Sequence, residues 1–137
     1  MNLENKTIGD VMTHSVVFVD VSDSLSDVDS LMARKSIRHI PVTDAGKLVG
    51  IISKTDINRL SFSGLFTDDS DEEISVFDLF SIEEVMRHNP RTVKQEEPIA
   101  QAIQILVNEE FHALPVVNSS NDLCGIITTT DLLKLML

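Results

Sequence analysis

Two seven-residue stretches carry the residue types from which a grip on a phosphorylated sugar can be built. Gly50-Ile51-Ile52-Ser53-Lys54-Thr55-Asp56 and Gly125-Ile126-Ile127-Thr128-Thr129-Thr130-Asp131 share one pattern: Gly, two apolar residues, a hydroxyl residue, any residue, Thr, Asp. The apolar pair reads as the end of a strand and the hydroxyl as the entry to a helix. Such a junction leaves backbone N–H groups unpaired at the positive end of the helix dipole, where a phosphate can sit. Ser53 and Thr55, or Thr128 and Thr130, add hydroxyl donors, and Asp56 or Asp131 can accept from ribose hydroxyls. The same spacing also satisfies a capping box, in which hydroxyl and carboxylate serve only their own helix end. Capping accounts for one such site but not for the whole pattern occurring twice, so both readings stand.

The elements around these stretches are duplicated too. Ile8-Gly9-Asp10-Val11-Met12-Thr13-His14 returns 74 residues later as Ile82-Glu83-Glu84-Val85-Met86-Arg87-His88, and Ile40-Pro41-Val42 returns as Leu114-Pro115-Val116. One extra residue in a turn moves the offset to 75 for Leu48 to Asp56 against Leu123 to Asp131. In each copy the reading is the same. Val16 to Val19 is a β-branched and aromatic run that predicts a strand. Ser24-Leu25-Ser26-Asp27 signals a helix start, with Leu25, Val28, Leu31 and Met32 on one face. Its counterpart has Pro98 near the first turn, then Ile99, Ala102, Ile103, Ile105 and Leu106. A strand at 40–42, a turn at Asp44-Ala45-Gly46, and a strand from Leu48 to Ile52 follow; the second copy gives 114–117, a polar turn at 118–122, and 123–127. Each copy ends in a helix beginning near Ser53 or Thr128. The order is β-α-β-β-α, twice. Between the copies lies an acidic stretch, Thr67-Asp68-Asp69-Ser70-Asp71-Glu72-Glu73. An apolar segment with Ile74, Val76, Phe77, Leu79 and Phe80 follows it and reads as a short packed helix. The resulting division is 1–66, a connecting segment 67–81, and 82–137.

Composition narrows the class. The chain has 137 residues, 42% of them apolar, with 22 Asp+Glu against 11 Lys+Arg and one cysteine. One thiol cannot build a disulfide framework, which fits a reducing interior. The start of the sequence, Met1 to Lys6, has no apolar region of the signal-peptide type, and a cytoplasmic location is the expectation. The apolar runs fall far short of the roughly 20 residues a membrane span needs. A formal charge of −11 argues against nucleic acid or an anionic membrane as partner, and any nucleotide site must rest on local chemistry.

The paired motif, with Ile40-Pro41-Val42 or Leu114-Pro115-Val116 before the hairpin and Val-Met opening each copy, resembles a tandem cystathionine-β-synthase (CBS) domain pair over residues 8–60 and 82–136. The resemblance implies an α/β (α+β) fold of two β-α-β-β-α repeats, related by a pseudo-twofold axis and packed through their sheets. It implies two clefts between the repeats for adenosine-containing ligands (AMP, ADP, ATP, sometimes S-adenosylmethionine), with no required cofactor. It also implies a disc-like homodimer. By position, Asp56 and Asp131 would bind ribose, and Ser53, Thr55, Thr128 and Thr130 would face phosphate. Backbone at Ser15, Val16 and Val17, and at Asn89, Pro90 and Arg91, would border adenine. Basic residues before the second strand, Arg38-His39 in the first copy and His112 alone in the second, would reach phosphates. With Lys54 added, the first-copy cleft is expected to prefer more phosphates.

The remaining signals are weaker. The histidines His14, His39, His88 and His112 have no metal-ligand spacing, and the acids of 68–73 lack the glycine and spaced ligands of a calcium loop, so no metal site is read. Cys124 falls in a predicted buried strand without a base partner. No nucleophile triad or Walker loop is visible, so the expectation is a regulatory module rather than an enzyme. It would signal ligand occupancy to a regulated partner that the sequence does not identify. The alternative is a ligand-free dimerisation or interaction module.

Overall fold

The computed structural model describes residues 3–64 and 76–137. Along them run α1 (Ile8–Val11), β1 (Val19–Asp20), α2 (Leu25–Lys35), β2 (His39–Asp44), β3 (Lys47–Ser53), α3 (Lys54–Gly64), a 3₁₀ turn (Val76–Leu79), α4 (Ile82–Val85), β4 (Arg87–His88), α5 (Ile99–Asn108), β5 (Ala113–Val117), β6 (Leu123–Thr128) and α6 (Thr129–Lys134). This is a mixed α+β fold with a four-stranded sheet ordered β1-β2-β3-β4 and a two-stranded sheet β5-β6.

The long elements lie where the apolar periodicity puts them. α2 opens on Ser24, whose Oγ accepts from the Asp27 N–H while Asp27 Oδ2 accepts from the Ser24 N–H. Leu25, Val28 and Met32 are its buried face. α5 opens on Pro98 and buries Ile99, Ala102, Ile105 and Leu106. β2 turns into β3 through Ala45 and Gly46, both at positive φ (51° and 83°), the primed two-residue turn that suits a hairpin's twist.

The short elements differ from expectation in two ways. The strand predicted over 16–19 pairs only at Val19↔Val42 and Asp20↔Thr43, parallel to β2. Extended propensity is present upstream, but a ladder needs a partner; Thr13 instead exchanges two backbone hydrogen bonds with Ile126. In the second copy the equivalent strand shrinks to one parallel bridge, Val93↔Val116. Second, α1 and α4 are single helical turns too brief to show a period. The expected packed helix after the acidic stretch is the 3₁₀ turn, with Phe77 half-buried; Ile74 and the acids of 68–73 lie outside the described residues. Cys124 is half-buried rather than buried, and its Sγ lies 3.5 Å from the Asp122 carbonyl.

The chain divides into two compact units that do not follow the repeat boundary. A central unit comprises Phe18–Ala45 and Val49–Asn89; a terminal unit comprises Met1–Val17, Gly46–Leu48 and Pro90–Leu137. The opening helices are thus exchanged. Ile82 and Met86 pack into the core of Val19, Leu25, Val28, Met32, Ile40, Val42, Ile52 and Ile57. Ile8 and Met12 pack into the core of Val93, Ala102, Ile105, Leu106, Leu114, Val116 and Ile127.

Within the terminal unit, Lys47 Nζ donates to Asp122 Oδ1 at 2.7 Å and to the Ser120 carbonyl at 2.9 Å. The Lys47 hydrogen bond, helped by one from Asn118, holds the Asp122 carboxyl below its ordinary value. A carboxyl lowered on folding contributes stability above its unfolded pKa and loses it as pH falls through the folded one. Lys47→Met is therefore expected to lower stability at neutral pH, by less in high salt. The difference from the wild type should fade as pH falls through the Asp122 titration, as urea unfolding at a series of pH values would measure.

Candidate functional site

Each duplicated junction is built from a strand end, a helix start and a segment from the other copy. Helix α3 follows β3 directly. Asp56 Oδ2 accepts from the Ser53 N–H at 3.0 Å and from Ser53 Oγ at 2.9 Å, and the Asp56 N–H returns to Ser53 Oγ at 3.2 Å. At the second junction Asp131 Oδ2 accepts from the Thr128 N–H at 2.9 Å and from Thr128 Oγ1 at 3.1 Å. The Asp131 N–H returns to Thr128 Oγ1 at 3.1 Å. The capping box is formed in both. The hydroxyls of Ser53 and Thr128 are engaged within their own caps, as donor to the carboxylate and acceptor from its amide.

The caps use only one oxygen of each carboxylate. Asp56 Oδ1 faces Arg87 Nη2 at 3.6 Å and Arg59 Nη1 at 3.9 Å. Asp131 Oδ1 accepts from Thr13 Oγ1 at 3.2 Å. Arg87 and Thr13 occupy equivalent places after the Val-Met pair, 74 residues apart. Asp56 is 8% exposed, and a buried carboxylate is found in proteins chiefly where it is paired, as here.

The glycine that opens each motif is set by this arrangement. A Cβ on Gly125 would stand 2.8 Å from both Met12 Sδ and the Thr13 carbonyl oxygen; on Gly50 it would crowd the Met86 thioether and stand 3.0 Å from the Arg87 carbonyl oxygen. The Val-Met segment lies flat on the last strand only because no side chain intervenes. Strand pairing then fixes the next residue: β3 and β4 pair antiparallel at Gly50↔His88 and Ile51↔Arg87.

The other expected site residues distribute between the units. In the central unit, the Arg38 carbonyl accepts the Lys54 N–H at 2.7 Å, which places Arg38 against the start of α3. Lys54 Nζ lies 3.8 Å from Asp29 Oδ1, His39 opens β2, and Thr55 is exposed on the first turn. Asn89 belongs here as well; it has φ 47° and donates its N–H to the Val49 carbonyl. In the terminal unit, the His112 carbonyl accepts the Thr129 N–H at 3.1 Å, and Thr130 is exposed on the first turn of α6. Ser15, Val16 and Val17 lie in this unit, with Asp131 rather than with the Asp56 of their own repeat. Pro90 and Arg91 lie here too, Arg91 Nε standing 3.7 Å from Glu109 Oε2.

Three residues against the carboxylates, Thr13, Arg87 and Arg59, were not singled out by sequence reasoning. The signal for the first two was the residue after Val-Met, which varies between the copies inside an otherwise shared run. Among the described residues no group of three or more His, Cys, Asp or Glu side chains is gathered to hold a metal, and no helix is long and apolar enough to cross a membrane.

Comparison with known proteins bears on the whole architecture. The profile of the CBS domain matches residues 8–63 and 82–137. MJ1225, an uncharacterized protein of Methanocaldococcus jannaschii, is 34% identical over 136 residues, 96% of this chain and 47% of that protein. Its crystal structure gives a TM-score of 0.83 at 32% identity, over 98% of this chain and 49% of that chain. CBSX2, solved in complex with AMP, gives a TM-score of 0.80 at 25% identity and covers 96% of both chains. A homoserine O-acetyltransferase of Methanohalobium evestigatum is 26% identical over 135 residues, which are 98% of this chain but 25% of the enzyme. The chain thus spans about half the length of MJ1225 and a quarter of the acetyltransferase. Two matched repeats, two junctions of one design and a shared fold lead to one conclusion: this chain belongs to the CBS-domain family, as a tandem pair.

Proposed function

We propose that this CBS pair is a non-catalytic regulatory module that binds adenosine-containing ligands and passes their occupancy to a partner. AMP, ADP and ATP are the first candidates and S-adenosylmethionine a further one. The observation that carries the reading is the division of labour within each acid. One oxygen of Asp56 and of Asp131 is held by its helix cap, while the other meets a polar side chain from far along the chain. A ribose diol needs such a fixed acceptor, and a carboxylate already oriented loses little rotamer freedom when it accepts one. The AMP complex of CBSX2, alike in fold over nearly the full length, supports adenylate as the ligand class.

In this reading Thr55 and Thr130 serve phosphate, together with Arg38, His39 and Lys54 at one junction and His112 at the other. Ser53 and Thr128 reach phosphate only by releasing their bonds to the aspartates. The segments 15–17 and 89–91 border the base. Ligand drives a response in the partner only through unequal affinity for two arrangements of the module. Assembly into a homodimer and residence in the cytoplasm complete the proposal.

Isothermal titration of the full chain with AMP, ADP, ATP and S-adenosylmethionine tests it, alongside melting followed by circular dichroism. A bound ligand at a hundred times its Kd stabilises the folded state by about 2.7 kcal/mol, a shift a melting curve resolves. No heat and no shift with any of the four would overturn the reading. A second reading, an interaction module without ligand, takes the same closed caps as helix ends and nothing more. That module would keep its assembly in light scattering when Asp56 and Asp131 are both replaced by Ala, and would show no ligand to lose.

A further inference from the structure

The two junctions share backbone design but differ in the group that meets the outward carboxylate oxygen. At Asp56 it is a guanidinium, Arg87 Nη2 at 3.6 Å; at Asp131 it is a hydroxyl, Thr13 Oγ1 at 3.2 Å. The positions are equivalent in the repeat, so the difference is a substitution on one scaffold rather than a different architecture. Its neighbours follow the same trend. Arg38, Lys54 and Arg59 at the Asp56 junction correspond to His112, Thr129 and Lys134 at the other. Four cationic positions thus stand against one lysine and a histidine, with Asp29 offsetting Lys54 in part.

We infer that Arg87 sets the ligand class of the Asp56 junction, directing it to phosphorylated adenosine ligands, while the Asp131 junction takes less charged ones. This rests on the adenosine-binding reading above. A chain of net charge −11 repels phosphate, and an un-neutralised carboxylate beside the ligand repels it further. Arg87 removes that local repulsion by pairing with Asp56. Its side chain is 59% exposed, and a guanidinium has five N–H donors, so one carboxylate contact leaves donors for phosphate oxygens. The neighbour of Asp131 is a hydroxyl that brings no positive charge to offset the acid, an arrangement that suits a sugar and opposes an anionic tail.

The test is a comparison of adenosine with ADP by isothermal titration on the full chain, with circular-dichroism melts confirming that each variant folds. Arg87→Thr is expected to lower ADP affinity about tenfold and adenosine affinity by a smaller factor, since Arg87 also helps to orient the Asp56 carboxylate that meets the ribose. Arg87→Lys should retain most of the preference, because the charge stays. Thr13→Arg places the guanidinium at the other junction and should raise ADP affinity there; it carries the test if Arg87→Thr does not fold. An ADP-to-adenosine ratio unaltered by Arg87→Thr and Thr13→Arg would overturn this inference and leave the adenosine-binding reading intact. A wild-type chain that binds neither compound would overturn both.

Discussion

Asp56→Ala should cost about 2–4 kcal/mol of stability and abolish ligand at its junction, whereas Asp131→Ala should cost about 1 kcal/mol. The asymmetry follows from burial. Asp56 is 8% exposed, accepts from the Ser53 amide and hydroxyl, and faces Arg87 and Arg59. Removing it takes away a helix cap, worth about 1 kcal/mol. Because the lost side chain is itself buried, it also leaves the Ser53 N–H without its acceptor where water enters less freely, a penalty of about 1–3 kcal/mol. Asp131 makes the same cap at a half-exposed position, where water can replace the lost acceptor. Urea unfolding followed by circular dichroism measures both, since the chain has neither Trp nor Tyr to report by fluorescence. Asp56→Asn separates cap from charge. Its amide oxygen can still receive the Ser53 N–H, so most of the stability should return while the pairing with Arg87 does not. Equal losses for Asp56→Ala and Asp131→Ala would contradict the burial argument.

The largest loss of stability is expected from Gly125→Val, at about 3 kcal/mol or more, with Gly50→Val close behind. Overpacking ordinarily costs about 1–3 kcal/mol because neighbours give way. At Gly125 one obstacle is the Thr13 carbonyl oxygen, 2.8 Å from where a Cβ would lie, and it cannot move alone. That carbonyl accepts from the Ile126 N–H at 3.1 Å, and the Thr13 N–H donates to the Ile126 carbonyl at 2.8 Å. Relieving the clash therefore means breaking both bonds and lifting Met12 out of the core. At Gly50 the closest obstacle is the flexible Met86 thioether, with the Arg87 carbonyl oxygen at 3.0 Å, so part of the strain can relax. A urea midpoint lowered with unchanged m-value is the expected signature. The same change at Gly46, where nothing approaches within 4 Å but φ is +83°, isolates the backbone cost and should be milder.

Much of this architecture was legible from residues because local signals and the repeat agreed. Ser24 with Asp27 placed the start of α2, the apolar runs placed β2, β3, β5 and β6, and the repeated Gly-to-Asp pattern placed both junctions. Partnership across the chain was not legible. Thr13 and Asp131 are 118 positions apart. Nothing in the period of either segment says that the opening turn of one copy packs on the closing strand of the other. For the same reason the sequence does not say which junction Ser15 to Val17 accompany; they lie in the unit of Asp131. The capping and binding readings of the motif also looked like rivals on one dimension. A carboxylate has two oxygens, and at each junction the helix start occupies one of them.

The traded helices have an implication for how such a molecule could arise. A lone ancestral repeat would carry Ile8 or Ile82 on a turn with no hydrophobic seat of its own, so it would be sticky and incomplete in isolation. Association of two identical copies would have cured both at once. Joining two such copies on one polypeptide would make that association permanent at any dilution, and would let position 87 differ from position 13 without spoiling either half.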